Sequence, residues 1–325
     1  MGKSILVTGG AGFVGSHMAE RLLADGHKVI ALDDLSTGSL RNIQPLIGTP
    51  SFRFQLGSVL EKEVCNQFVT ECDEVIHLAA AVGVKMIFDR PMETIERNVR
   101  GTENILEAAL RSGRKVFLAS TSEVYGKETR SDTNSFHEDD DITLGPSMRW
   151  CYACSKALDE YLGRAYCIGK GLPVVVGRLF NTVGPRQSGA YGMVIPRFVE
   201  WALSGKPIQV YGDGKQVRTF THVQDCVRAV CNLMAEPRAE GQVVNIGSEE
   251  PITMLELARR IKDLTDSRSE IVHISYDQAY GLGFEDIRNR VPNLTRVRDL
   301  IGYSPEYNLD RILQDTISYF RQKPQ

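Results

Sequence analysis

The sequence predicts an α/β protein, a doubly wound parallel sheet followed by a smaller C-terminal α/β lobe. Three observations predict it. Short apolar runs rich in Val, Ile and Leu alternate with helix-period segments through the first half. Such runs suit strands buried on both faces, as in a parallel sheet covered by helices. A glycine-rich turn stands between the first run and the first helix. After about residue 180 the pattern changes to short strands broken by loops containing Gly and Pro.

The elements follow in chain order. Ser4–Thr8 (SILVT) reads as a buried strand, and helical periodicity covers His17–Ala24. Strands are predicted at Lys28–Leu32, Ser51–Gln55, Glu74–Leu78, Lys115–Ala119 and Leu172–Leu179, with a helix over Thr94–Ser112. Strands that alternate with helices imply β-α-β crossovers. The later part offers strands at Ile208–Tyr211 and Val243–Ile246 and helices at Val194–Ser204, Val223–Ala235 and Met254–Thr265. The expected division is 1–180 for the first domain and 181–325 for the lobe, with a strand near 243–246 able to return to the main sheet.

Bulk properties narrow the function. A net charge of −3 gives no general attraction to nucleic acid or an anionic membrane, so an anionic ligand needs a local cluster of Arg or Lys. No apolar stretch approaches the ~20 residues of a membrane span. Met1 runs almost directly into a strand, which leaves no room for a signal peptide. Seven scattered cysteines fit reduced thiols, and a cytoplasmic location is expected.

The turn Gly9-Gly10-Ala11-Gly12-Phe13-Val14-Gly15 carries glycines at 9, 12 and 15, after a strand and at the head of a helix. This is the Rossmann-type arrangement. The glycines permit a tight turn and close approach of backbone to a pyrophosphate, and the helix N-terminus supplies N–H donors. Asp33 closes the second strand, where a carboxylate accepts the adenosine ribose hydroxyls and repels a 2′-phosphate. The expected cofactor is therefore NAD. Leu78-Ala79-Ala80 are small enough to let a dinucleotide lie close, Ser58 follows the third strand and can face the adenine, and Asn98 is a candidate to hold active-site backbone or a water.

Tyr152 and Lys156 stand four apart on one helical face. A phenol with a pKa of ~10 is a poor base at neutral pH. A neighbouring ammonium stabilises the phenolate and so tunes it. Ser120-Thr121-Ser122-Glu123 lie at the C-terminal end of a strand, where ligands bind in open α/β sheets.

With these motifs together, the chain resembles the extended short-chain dehydrogenase/reductases of the NAD-dependent sugar epimerase/dehydratase family. The resemblance spans nearly the whole length and includes Ser120–Gly126 (STSEVYG), Arg178–Arg186 (RLFNTVGPR) and Tyr211–Phe220 (YGDGKQVRTF). It implies Thr121 as the assisting hydroxyl, Tyr152 as the base and Lys156 as its tuner. It also implies Asn181 and Arg218 on a nucleotide diphosphate, Gln209 and Tyr211 beside the nucleobase, and Arg290 near the phosphates. Lys85, after a strand end, is a further candidate for substrate contact. Many relatives carry Asp where this chain has Ser58. The family commonly forms homodimers through a four-helix bundle, for which Thr94–Ser112 and Tyr152–Gly169 are the expected helices.

Oxidation at sugar C4 leads to several outcomes: 4-epimerisation, loss of water, or loss of CO2 when C6 is a carboxylate. Ser122-Glu123 after Thr121 resembles UDP-glucuronate decarboxylases, and Gly145–Tyr152 (GPSMRWCY) is similar to the stretch before the catalytic Tyr of a decarboxylase of lipid A modification. Glu123 would then help expel CO2 or manage the proton delivered to C5, with Arg218 in an electrostatic role. A dehydratase typically carries Asp before that Glu, which this chain lacks. The main expectation is a UDP-glucuronate decarboxylase. The alternative is a UDP-sugar 4-epimerase acting on UDP-glucose, UDP-glucuronate or UDP-N-acetylglucosamine. A reading of another class is a non-catalytic NAD-binding redox sensor, which would usually have lost the Tyr or the Lys. Cys151-x-x-Cys154 overlaps the Tyr/Lys helix and lacks a second pair at metal spacing, so no metal is expected.

Overall fold

The computed structural model describes residues 2–83, 89–127, 135–280 and 287–322. Six strands of the first half are β1 (Ser4–Thr8), β2 (Lys28–Asp33), β3 (Phe52–Leu56), β4 (Glu74–His77), β5 (Lys115–Thr121) and β6 (Val174–Leu179). They join the strand Val243–Ile246 in one seven-stranded sheet, in the order Val243–Ile246, β6, β5, β4, β1, β2, β3. Every pairing in it is parallel.

The near-continuous apolar strands reflect burial on both faces. Along β1, Leu6 faces one core with Ile30, Leu32, Val75, Val116 and Leu118. Ile5 and Val7 face the other with Val29, Ala31, Ile76 and Phe117. Truncating such a buried Leu to Ala costs about 2–5 kcal/mol. The order reverses at β1, with β4 on one side and β2 on the other, and this is where an open α/β sheet leaves a crevice beyond its strand ends.

Two long helices cover the sheet beside that crevice. Pro91–Ser112 begins with Pro in its first turn and stops at left-handed Gly113; Cys151–Lys170 stops at left-handed Gly171. They pack against each other.

The segment after residue 180 divides its allegiance. The helix Val223–Ala235 packs on Phe13–Ala24 and shares the core of one sheet face, and Val243–Ile246 extends the sheet beside β6. A separate core gathers Val183, Ile195, Phe198, Leu257, Ile312 and Phe320, with the helices Val194–Leu203, Met254–Leu264 and Leu309–Gln322 around it. Among the described residues no helix is long and apolar enough to cross a membrane.

Candidate active site

The glycine turn is built by its own backbone. Gly9 has φ +68°, its N–H donates to Leu32 O at 2.8 Å, and Gly12 N–H donates to Gly9 O at 3.0 Å. A Cβ at Gly15 would lie 2.0 Å from Gly9 O, so no side chain fits. The helix Phe13–Ala24 begins here with no side-chain cap, which leaves its first N–H groups for an anion. At the next strand end, the Asp33 carboxylate accepts from Ala11 N–H at 3.0 Å and Leu35 N–H at 2.7 Å. Burial raises its pKa, and those two donors oppose the rise. Each carboxylate oxygen keeps a lone pair for a further donor. Gly57 N–H donates to Asp33 O, which places Ser58 beside it; the Ser58 hydroxyl accepts from Leu60 N–H at 3.3 Å. The glycine cradle, uncapped helix and carboxylate fit a dinucleotide.

Asn98 is 1% exposed. Its Oδ1 accepts from Ala81 N–H at 2.8 Å, and its Nδ2 donates to Ser155 Oγ at 3.0 Å, whose hydroxyl donates to Tyr152 O at 2.8 Å. It thus ties the loop after β4 to the helix of the Tyr/Lys pair. Ala79 N–H donates to the Thr8 hydroxyl at 3.2 Å.

A cavity of about 390 Å³ opens beyond the strand ends. Phe13, Val14, Leu78 and Ala80 line it at the dinucleotide side. Thr121, Glu123, Tyr152 and Lys156 also line it, as do Asn181, Gln209, Tyr211, Arg218 and Arg290. Lys85 lies outside the described residues. Tyr211 accepts a hydrogen bond from Arg197 at 2.5 Å, and Arg197 also stacks over the Tyr211 and Trp201 rings. Arg218, 7% exposed, donates to the backbone oxygens of Val217 at 2.9 Å and Arg288 at 3.3 Å. Cys151 is buried and Cys154 exposed.

Glu123 sits between two guanidinium groups. Its Oε2 accepts from Arg149 at 2.7 Å and its Oε1 from Arg290 at 3.1 Å. Burial pushes its pKa up, but the two cations and their hydrogen bonds outweigh burial and hold it at about 2. Glu123 is therefore anionic at neutral pH in this setting. Arg290 also donates to Asn181 Oδ1 at 2.7 Å, so it joins Asn181 to the Glu123 cluster. Asn181 is held at φ +27° with its Nδ2 donating to Thr219 O at 2.8 Å.

The Tyr152 phenol hydrogen-bonds with Thr121. Its pKa is raised, first by burial and then by the Glu123 carboxylate, against the Thr121 bond. The Lys156 ammonium donates to Asp159 Oδ2 at 2.8 Å and lines the same cavity as Tyr152. The residue pattern alone does not single out Arg149 or Asp159. Arg149 stands three residues before Tyr152, a spacing with no meaning until a turn carries its side chain under Glu123.

The NAD dependent epimerase/dehydratase family matches residues 5–247.

This chain belongs to that family.

NAD is accordingly its cofactor. A UDP-N-acetyl-alpha-D-glucosaminuronate decarboxylase of Bacillus cytotoxicus is 44% identical, with 99% of each chain covered. UDP-glucuronic acid decarboxylase 1 of Danio rerio is 36% identical over 99% of this chain and 73% of its own length. Among solved structures, UDP-glucose 4-epimerase of Thermotoga maritima, crystallised with UDP-glucose, superposes with a TM-score of 0.88 at 29% identity, covering 98% of this chain and 99% of its own.

Proposed function

We propose that this family member is an NAD-dependent decarboxylase of a UDP-linked uronic acid, with UDP-glucuronate as the leading substrate. One observation carries the reading. Among the described residues, five cationic side chains, Arg149, Lys156, Arg197, Arg218 and Arg290, line the cavity against a single carboxylate, Glu123, in a chain whose net charge is −3. A nucleotide sugar with a neutral hexose brings only the diphosphate, whereas a uronate adds a third negative group. Arginine suits both through its bidentate fork. The decarboxylase relatives support the same reading.

In this reading Arg218, Arg290 and Asn181 bind the diphosphate, and Gln209 and Tyr211 lie by the base. Bound NAD supplies the hydride acceptor at C4. Thr121 orients the C4 hydroxyl, and Tyr152 receives its proton. The resulting β-keto acid loses CO2, the C5–C6 electron pair moves into a C4–C5 enolate, and the enolate takes up a proton at C5 to give the 4-keto sugar. The ionised Glu123, paired with Arg149 and Arg290, sets a fixed field at the sugar end. Lys85, which follows a predicted strand end in the sequence, is a further candidate for substrate contact.

Two further assignments belong here. Met92 and Ile95 on one long helix, and Leu158, Tyr161 and Ile168 on the other, are exposed apolar side chains, which supports a homodimer through these helices. Seven free cysteines support a reducing cytoplasmic location.

The test is incubation of purified enzyme and NAD with UDP-glucuronate and, separately, UDP-N-acetylglucosaminuronate, followed by mass spectrometry. Loss of CO2 from either is expected. An unchanged mass with a new retention time means 4-epimerisation, and no turnover of any UDP-sugar returns the chain to the sensor class.

A further inference from the structure

Lys156 and Asp159 are three residues apart on the helix Cys151–Lys170, with side chains 4% and 2% exposed. On a helix surface such a pair contributes little and needs no explanation. Buried, it is different. Two desolvated charges are rarely a net source of stability, so their presence calls for another role. Asp159 is also only partly satisfied, because its Oδ1 makes no hydrogen bond.

The carboxylate ends a buried polar chain. Burial raises the Asp159 pKa, and the Lys156 ammonium and then the Thr102 hydroxyl oppose the rise. Thr102 Oγ1 lies 3.3 Å from His77 Nε2, and His77 Nδ1 lies 2.7 Å from Thr8 Oγ1. Thr8 in turn accepts from Ala79 N–H in the dinucleotide loop. Burial, and then repulsion from Lys156, lowers the His77 pKa to about 3, so the imidazole is neutral and brings no charge to the chain.

We propose that Asp159 is a positioning residue for the Tyr152–Lys156 pair. It fixes the Lys156 ammonium through one of its three donors and offsets its charge, so that the phenol ionises only when the cationic nicotinamide is bound. This rests on the reading of Tyr152 as the base. The role is open to test because Asp159 does not line the cavity, whereas Glu123 does.

Among the described residues, the charges acting on Tyr152 include Glu123 from the turn after β5, Arg290 from the strand Asn289–Arg290 and Asp159 from its own helix; Arg149, from the turn before the helix, is bonded to Glu123, and Lys156 to Asp159. Neutral His77 faces Lys156 from β4. After burial, Glu123 and Asp159 both raise the phenol, and Arg290 opposes them. Removing Asp159 therefore strips one negative charge from the phenol's surroundings and leaves every cavity-lining residue in place.

The experiment compares wild type with Asp159→Asn, which keeps the shape and deletes the charge. The near-ultraviolet absorbance of tyrosinate is titrated with and without NAD, using Tyr152→Phe as the baseline, and the pH profile of kcat is recorded. In Asp159→Asn without NAD, the Tyr152 signal is expected to move to lower pH by about one unit. The acid limb of kcat moves the same way, and Asp159→Glu restores both. A variant whose kcat falls equally at every pH, with an unmoved tyrosinate titration, would show a merely structural role and overturn the proposal. Asp159→Ser serves the same test if the Asn variant does not fold. Failure of the underlying reading looks different: Tyr152→Phe would then turn over substrate at the wild-type rate.

Discussion

Replacing Arg149 by Met removes one of the two cations that hold Glu123. The Glu123 side chain is 15% exposed, and its pKa stands at about 2 against an ordinary value of 4.5. A depression of that size corresponds to roughly 3 kcal/mol. Because the folded pKa is lowered, this stability is present above the unfolded value and is lost as pH falls through about 2. In the wild type about 0.8 kcal/mol of it is lost between pH 7 and pH 4. Arg149 is the stronger of the two cationic influences, and burial acts against both. In Arg149→Met the buried carboxylate keeps only Arg290, and its folded pKa rises. Breaking a buried pair in this way costs about 3–5 kcal/mol at neutral pH. The pH slope changes as well. If the folded pKa passes the unfolded value, the Glu123 contribution grows, and does not shrink, as pH falls. Urea denaturation of both proteins at a series of pH values from 7 to 4 measures this. The variant should be much less stable at pH 7, and the gap should narrow towards pH 4. A gap below about 1 kcal/mol at pH 7, constant with pH, would refute the account of Glu123 as a carboxylate held by two guanidinium groups.

Other outcomes follow from the same geometry. Gly15→Ala forces a Cβ to within 2.0 Å of Gly9 O, so the turn must shift; calorimetric titration should show NAD affinity reduced at least about tenfold, and unchanged affinity would contradict the tight-turn account. Asn98→Ala leaves the buried Ala81 N–H and Ser155 hydroxyl without their partner, and thermal or urea unfolding should register a loss of about 1–3 kcal/mol. Tyr161→Glu combined with Ile168→Glu places charges on the exposed apolar side chains of the Tyr/Lys helix; sedimentation of wild type and variant tests the proposed dimer, with a dimer expected for the wild type and a monomer for the variant. A wild-type monomer would remove the dimer from the proposal.

The features of this protein that are legible in its sequence are those governed by neighbours along the chain. Val223–Ala235 and Ile208–Tyr211 have the bounds their periodicity predicts, and β1 is Ser4–Thr8 as the apolar run indicates. Other ends slip by a few residues: the helix expected from Thr94 starts at Pro91, and the strand expected to reach Leu78 stops at His77. Pro fits the first turn of a helix because its missing N–H has no partner there anyway. Leu78 leaves the strand where the chain must turn into the dinucleotide loop.

The sequence by itself determined the alternation of strands and helices, the glycine turn that only glycine can close, and the placing of Tyr152 and Lys156 on one helical face. Each depends on residues a few positions apart, and backbone sterics and periodicity act over that range. Tertiary structure alone decided what those side chains meet. Glu123 finds one cation 26 residues away and another 167 away, and Lys156 is turned to a carboxylate whose other oxygen is left unbonded. Charge state is set by what lies within a few ångströms in space and by how much water is excluded, and neither quantity is written in spacing along the chain.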